Sequence, residues 1–228
     1  MNRLRQALHE PKLQLFVSLP SNDLNLAKAA LQEGADGLKV HINVDHRASG
    51  NSFGPLSEYA ETFRSIRSQF NGPLGIVPGG SLESINPQEI EQLGDLDVDF
   101  FSIYAWHMPT FLLHAPKLAA TFAIDSQFDT KLLEAAKAFP IEALEASVIP
   151  SSEYGTPLNF ADLLRYRWLA QTANLPVIVP SQRKLVAADV PALKDSGVKA
   201  LLLGAVVVGK SADEIQRAVH DFRNAIDS

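Results

Sequence analysis

Eight short apolar runs, alternating with stretches of helical spacing, constrain this 228-residue chain more than any other feature. Residues 13–20, 37–44, 73–80, 99–107, 121–125, 142–149, 175–180 and 199–209 read as strands. Ser21 or Asn22 can cap a first helix that stops at Gly34. Leu56, Tyr59, Ala60, Phe63, Ile66 and Phe70 recur at helical spacing. Residues 87–96, 130–139, 160–173 and 189–197 read as further helices, and Ser211 with Glu214 forms a capping box for the last. Residues 108–119 and 150–159 read as connections. The runs at 175–180 and 199–209 are apolar on both faces, as parallel strands covered on both sides are. An α/β chain of this pattern and length closes as one (β/α)8 barrel domain over residues 1–228. An open doubly wound sheet competes, but no G-x-G-x-x-G follows the first strand.

Composition narrows the function classes. Apolar residues make up 46% of the chain, enough for a sizeable core. The net charge of -6 argues against general nucleic-acid or membrane-surface binding. The absence of cysteine excludes disulfides, thiolate metal ligands and cysteine nucleophiles, and fits a cytoplasmic protein. No run approaches the ~18 apolar residues of a membrane span, and the first twenty residues show no signal-peptide pattern. A homodimer is the commonest oligomer to expect.

In a barrel of this type the site lies at the C-terminal ends of the strands. The second strand alternates Lys39, His41 and Asn43 with Leu38, Val40 and Ile42, then enters a polar, glycine-rich loop. Lys39 inside a barrel is desolvated, which favours a base or an amine nucleophile. The alternative is a structural ion pair with Glu145 on the sixth strand. His41 is a candidate polariser and Glu145 a candidate acid or base. Tyr104, Trp106 and His107 end the fourth strand, and Asp125 the fifth, as candidate pocket residues. Ser181, Arg183, Gly204 and Ala205, after the last two strands, are the candidate phosphate-binding group. Gly204 allows close backbone approach and Arg183 supplies charge. His41, Asp45 and His46 lie close in sequence, but their spacing is not that of a metal-binding helix pair, so no metal is expected.

The segment GADGLKVHINVDHRASGNSFGP (34–55) resembles, without a gap, the second-strand region of the ribulose-phosphate 3-epimerases. The segments LFVSLP, VDFFSIYA and FAIDS, and the tail from Leu175 to Val219, are similar to those of phosphate-binding barrels such as the N-acetylmannosamine-6-phosphate 2-epimerases. The resemblance implies a TIM barrel of the ribulose-phosphate-binding type and a small phosphorylated metabolite as partner. Departures from these families bear on the reaction. Lys39 and His41 stand where the ribulose-phosphate epimerases have metal ligands. The third strand has no histidine and the seventh no aspartate. The catalytic lysine of the aminosugar epimerases falls near Pro78 or Gly79. Ser181-Gln182 replaces the usual glycine pair after the seventh strand.

These readings converge on a cofactor-free, metal-independent isomerase or epimerase acting on a small phosphorylated sugar or related metabolite. A Schiff-base aldolase or lyase using Lys39 is the second expectation. A phosphometabolite-binding barrel without catalysis is the third.

Overall fold

The computed structural model describes residues 2–115 and 117–228. Met1 and Pro116, the latter within the 108–119 connection, lie outside the described residues. The strands are β1 (Gln14–Ser18), β2 (Gly37–His41), β3 (Val44–His46), β4 (Asn51–Phe53), β5 (Leu74–Val77), β6 (Phe100–Tyr104), β7 (Ala119–Ile124), β8 (Ile141–Ala146), β9 (Val177–Pro180) and β10 (Ala200–Leu203). Eight of them close as a barrel in the order β1-β10-β9-β8-β7-β6-β5-β2, with every pairing parallel. The remaining two, β3 and β4, form a separate antiparallel hairpin.

Helices α1 (Arg3–His9), α2 (Leu24–Gln32), α3 (Ala60–Gln69), α4 (Pro87–Asp95), α5 (Leu133–Ala136), α6 (Phe160–Thr172), α7 (Val190–Asp195), α8 (Ala205–Val208) and α9 (Ala212–Asp227) complete the chain. The capping box at Ser211 and Glu214 starts α9. Asp23, rather than Ser21 or Asn22, caps α2, because its carboxylate accepts the Asn25 and Leu26 N–H groups. Gly34 follows α2 with φ +91, a left-handed conformation that side chains resist.

Alternation along each strand divides the core in two. Outward residues such as Leu38, Val40, Leu144, Val177 and Leu201 pack under the helices. Inward Phe16, Phe100, Ala143, Ile178, Ala200 and Leu202 fill the barrel's lower half, and Leu4 and Leu8 of α1 close its N-terminal end. Large and small residues interlock there. A Cβ on Gly37 would come within 2.5 Å of the Phe16 ring, so glycine is what lets that ring lie across β2. Apolar packing stops at mid-barrel, and polar side chains occupy the upper half.

Four local expectations change. The segment at 130–139 is a 3-10 turn followed by the four-residue α5 rather than a full helix. The run at 199–209 ends as a strand at Leu203 and becomes α8. The loop after β2 contains the β3–β4 hairpin, whose three-residue strands are too short to show a period. Helix α1 was not apparent in the sequence; its two inward leucines alone define its buried face. Among the described residues no helix is long and apolar enough to cross a membrane.

Candidate functional site

The inward positions above the apolar layer open into a cavity of about 680 Å³ at the C-terminal end of the barrel, a size typical of small-molecule sites. Ser18, Lys39, Ser102, Tyr104, Asp125, Glu145, Ser147, Ser181, Gln182 and Gly204 line it, each from the end of a barrel strand or just beyond.

Lys39 and Glu145 meet inside the barrel. Lys39 Nζ lies 2.8 Å and 3.1 Å from the two Glu145 carboxylate oxygens. The two residues are 5% and 7% exposed. Ser102 Oγ donates to Glu145 Oε2 at 2.7 Å, and Ser147 Oγ to Oε1 at 3.4 Å. Burial alone would raise the Glu145 carboxyl. The Lys39 charge and the hydrogen bonds from Lys39, Ser102 and Ser147 outweigh it and hold the group below its ordinary value. The lysine and carboxylate singled out in the sequence are therefore one unit, with Ser102 and Ser147 orienting the acid.

His41 is fully buried and does not line the cavity. Its ring is covered by His46 at 4.3 Å and stacks on Phe53 at 4.8 Å between centroids. Ser18 Oγ lies 3.3 Å from Nε2, and Nδ1 has no hydrogen-bond partner among the described residues. Burial, then the charges of His46 and Lys39, lower its pKa well below the ordinary value. The expected polariser is thus a neutral ring beneath the hairpin, because the β3–β4 excursion folds back over it. His46, on the hairpin, lines the cavity in its place. Burial and then the Lys39 charge lower it to about 4, against a smaller opposing effect of Glu145.

His46 therefore binds its proton less readily when folded than when unfolded. Its contribution to stability is complete above about pH 6.5 and is lost as pH falls toward 4. The stability of His46→Gln is expected to fall less steeply than wild type across that window, by on the order of 2 kcal/mol at pH 4. Urea unfolding at stepped pH measures it; parallel curves for the two proteins would contradict it.

The expected phosphate group is only partly assembled. Ser181 and Gly204 line the cavity, and the Gly204 N–H donates to Ser181 Oγ at 2.7 Å. Ala205 begins α8 beside Gly204 but does not line the cavity. Arg183 turns away. Its Nε donates to Asp162 Oδ2 at 2.8 Å, and its Nη2 lies 3.2 Å from Asp162 Oδ1 and 2.6 Å from Glu153 Oε2. It also donates to Thr156 Oγ1. Arg183 thus ties the 150–159 loop to α6, with four of its five N–H donors engaged within the chain, and it does not line the cavity where it was expected as the phosphate cation. Gln182 does similar work. Its amide accepts the Ile149 N–H and donates to Ser147 O and Tyr154 Oη.

Tyr104, Trp106, His107 and Asp125 line the cavity, as does Tyr154. Burial, then Tyr154 and Glu145, raise the Tyr104 hydroxyl well above its usual value. A cation unforeseen in the sequence is Arg47, which lines the mouth from the hairpin and forms no ion pair with a described residue. The hairpin that carries it is anchored. Asn43 Nδ2 donates to Glu89 Oε2 at 2.6 Å, and Asn51 Nδ2 to Pro20 O at 2.8 Å. Among the described residues no three His, Asp or Glu side chains converge as metal ligands.

No family model and no curated protein matches the chain. Solved structures do resemble it. Thiamine phosphate pyrophosphorylase from Pyrococcus furiosus superposes with a TM-score of 0.66 at 14% identity, covering 98% of each chain. KGPDC from Streptococcus mutans, solved in complex with D-R5P, gives 0.70 at 14% identity over 94% of this chain and 97% of that one. A ligand-free mutant tryptophan synthase from M. tuberculosis gives 0.75 at 13% identity over 100% of both. Strand order and these likenesses together show that the chain has the TIM-barrel fold, a closed (β/α)8 barrel.

Proposed function

We propose that this chain is a metal-independent isomerase or epimerase that moves a proton beside the carbonyl of a small phosphorylated sugar. The observation that carries the proposal is the buried Lys39–Glu145 pair on the wall of an open cavity at the barrel's C-terminal end. A buried ion pair is an inefficient way to stabilise a core, since apolar residues of like volume do as well or better. Its presence at a cavity is better accounted for by acid–base chemistry.

In this reading the Glu145 carboxylate takes the proton from the carbon next to the carbonyl. The electron pair of the broken C–H bond forms the enediolate double bond. The Lys39 ammonium stabilises the negative charge that develops on the carbonyl oxygen. In isomerisation Glu145, now protonated, returns the proton to the adjacent carbon. Lys39 gives a proton to the former carbonyl oxygen and recovers one from the neighbouring hydroxyl as that becomes the new carbonyl. In epimerisation an acid other than Glu145 delivers a proton to the opposite face of the same carbon, and Glu145 releases its own to solvent. Ser181 supports phosphate binding at its end of the cavity: its oxygen accepts the Gly204 N–H, which leaves its own proton free for a ligand. Arg47 supplies the positive charge that Arg183 does not. Tyr104 and Asp125 meet sugar hydroxyls. The neighbour solved with D-R5P supports a phosphorylated sugar as the ligand class.

Incubation with pentose and hexose phosphates in D2O tests the proposal. Wild type is expected to exchange the C–H beside the carbonyl, and Glu145→Gln to slow that exchange by about 10²-fold or more. Absence of exchange with every sugar phosphate, or equal exchange in the variant, would sink it. A Schiff-base lyase is the second reading, favoured by the carboxylate 2.8 Å from the Lys39 amine, which can shuttle the protons of imine formation. Borohydride trapping of a substrate adduct on Lys39 would select it. Tight binding without exchange or trapping would select a binding barrel.

A further inference from the structure

Helix α6 is apolar on two opposite faces. Asp162, Tyr166 and Leu169 are buried against the barrel. Phe160, Leu164 and Trp168 are 72%, 54% and 43% exposed. At 3.6 residues per turn these three span an arc of about 80° on the side away from the core. Exposed Ala161 and Gln171 complete that arc, so the stripe itself carries no charge. Arg165 and Arg167 stand on its two shoulders, and both are tied back to their own chain. Arg165 Nη1 donates to Val148 O at 3.1 Å, and Arg167 Nη1 to Asp195 O at 3.3 Å. Nothing among the described residues covers the stripe.

We propose that a second copy of this chain covers it, through an antiparallel two-fold packing of α6 against α6. The order along the stripe is self-complementary: aromatic, aliphatic, aromatic, evenly spaced by four residues. An antiparallel two-fold places Leu164 on the axis, and Phe160 of one copy opposite Trp168 of the other. The area is suited to a pair. With about 200 Å² per side chain, the stripe exposes roughly 340 Å² per copy, or roughly 680 Å² in the dimer. That equals the apolar share of an interface of about 1,000 Å², the smallest that holds a specific dimer. The stripe itself is free of charge, and the hydrogen bonds of Arg165 and Arg167 to Val148 O and Asp195 O draw their guanidinium groups toward their own chain.

The test uses the absence of cysteine from the chain. Light scattering or sedimentation should give twice the chain mass for wild type. Leu164→Glu puts two carboxylates at the axis and should weaken association more than about a hundredfold, with an unchanged circular dichroism spectrum. Leu164→Cys should form a covalent dimer under mild oxidation. Phe160→Cys should not, because antiparallel packing holds its two copies about 12 Å apart along the axis. A monomeric wild type would overturn the proposal, as would a Leu164→Glu dimer as tight as wild type. So would a Phe160→Cys cross-link that outpaces Leu164→Cys, or a monomer whose stripe instead binds vesicles of anionic phospholipid. The cysteine variants decide the matter if Leu164→Glu fails to fold.

Discussion

Lys39→Met alone is expected to cost about 3–5 kcal/mol of folding stability, because it leaves the Glu145 carboxylate buried without its cation. Ser102 and Ser147 still donate hydrogen bonds, but neither supplies charge. Replacing both partners, Lys39→Met with Glu145→Leu, removes the uncompensated charge and fills the space with apolar atoms. That double variant should recover most of the loss and can exceed wild type. Both variants should lose proton exchange. The contrast separates the two roles: stability follows whether the pair is matched, whereas activity follows whether it is present. Urea unfolding gives the first quantity and deuterium exchange the second. A single variant as stable as wild type would show that the pair is not what neutralises the barrel's interior. Exchange surviving in the double variant would remove the proposed chemistry. The Glu145 carboxyl is held below its ordinary value, so its contribution is present above that ordinary value, near pH 4.5. It is lost as pH falls through the lowered folded value.

Arg183→Met is expected to cost a similar amount, about 3–5 kcal/mol, and for the same physical reason. Asp162 is buried beneath it and would keep a charge with no partner. The loss reaches further than the pair. Asp162 also belongs to the capping box that starts α6, and Arg183 reaches Glu153 and Thr156 in the preceding loop. Limited proteolysis should therefore find new cleavage between residues 150 and 159, where Tyr154 borders the cavity. A variant of unchanged stability that had lost affinity for inorganic phosphate would reverse this reading and return Arg183 to the phosphate site.

Much of the architecture was legible because it depends on local pattern. Apolar runs such as 175–180 and 199–209, separated by helical spacing, leave few closures other than a parallel barrel. Lys39 and Glu145 were legible as candidates because ionisable residues on inward strand positions stand out against apolar neighbours. The pairing was harder to see than the residues, since Lys39 and Glu145 are 106 positions apart. Ser102 was missed although it lies between inward Phe100 and Tyr104. Period-two reading marks it as inward, but the register that sets it under Glu145 belongs to neighbouring strands. Arg47 and the burial of His41 were hidden together, because both depend on where the hairpin folds back.

The sequence by itself determined the class of fold, the end of the barrel that carries polar chemistry, and the residue types available there. Periodicity encodes which way a side chain points relative to its own strand or helix, and that information is local. Only the tertiary structure decided who meets whom: Lys39 with Glu145, Arg183 with Asp162 rather than a ligand, His41 beneath His46. Those choices depend on strand register and loop path across more than a hundred residues, where the energies of competing partners are compared. No local pattern records that comparison.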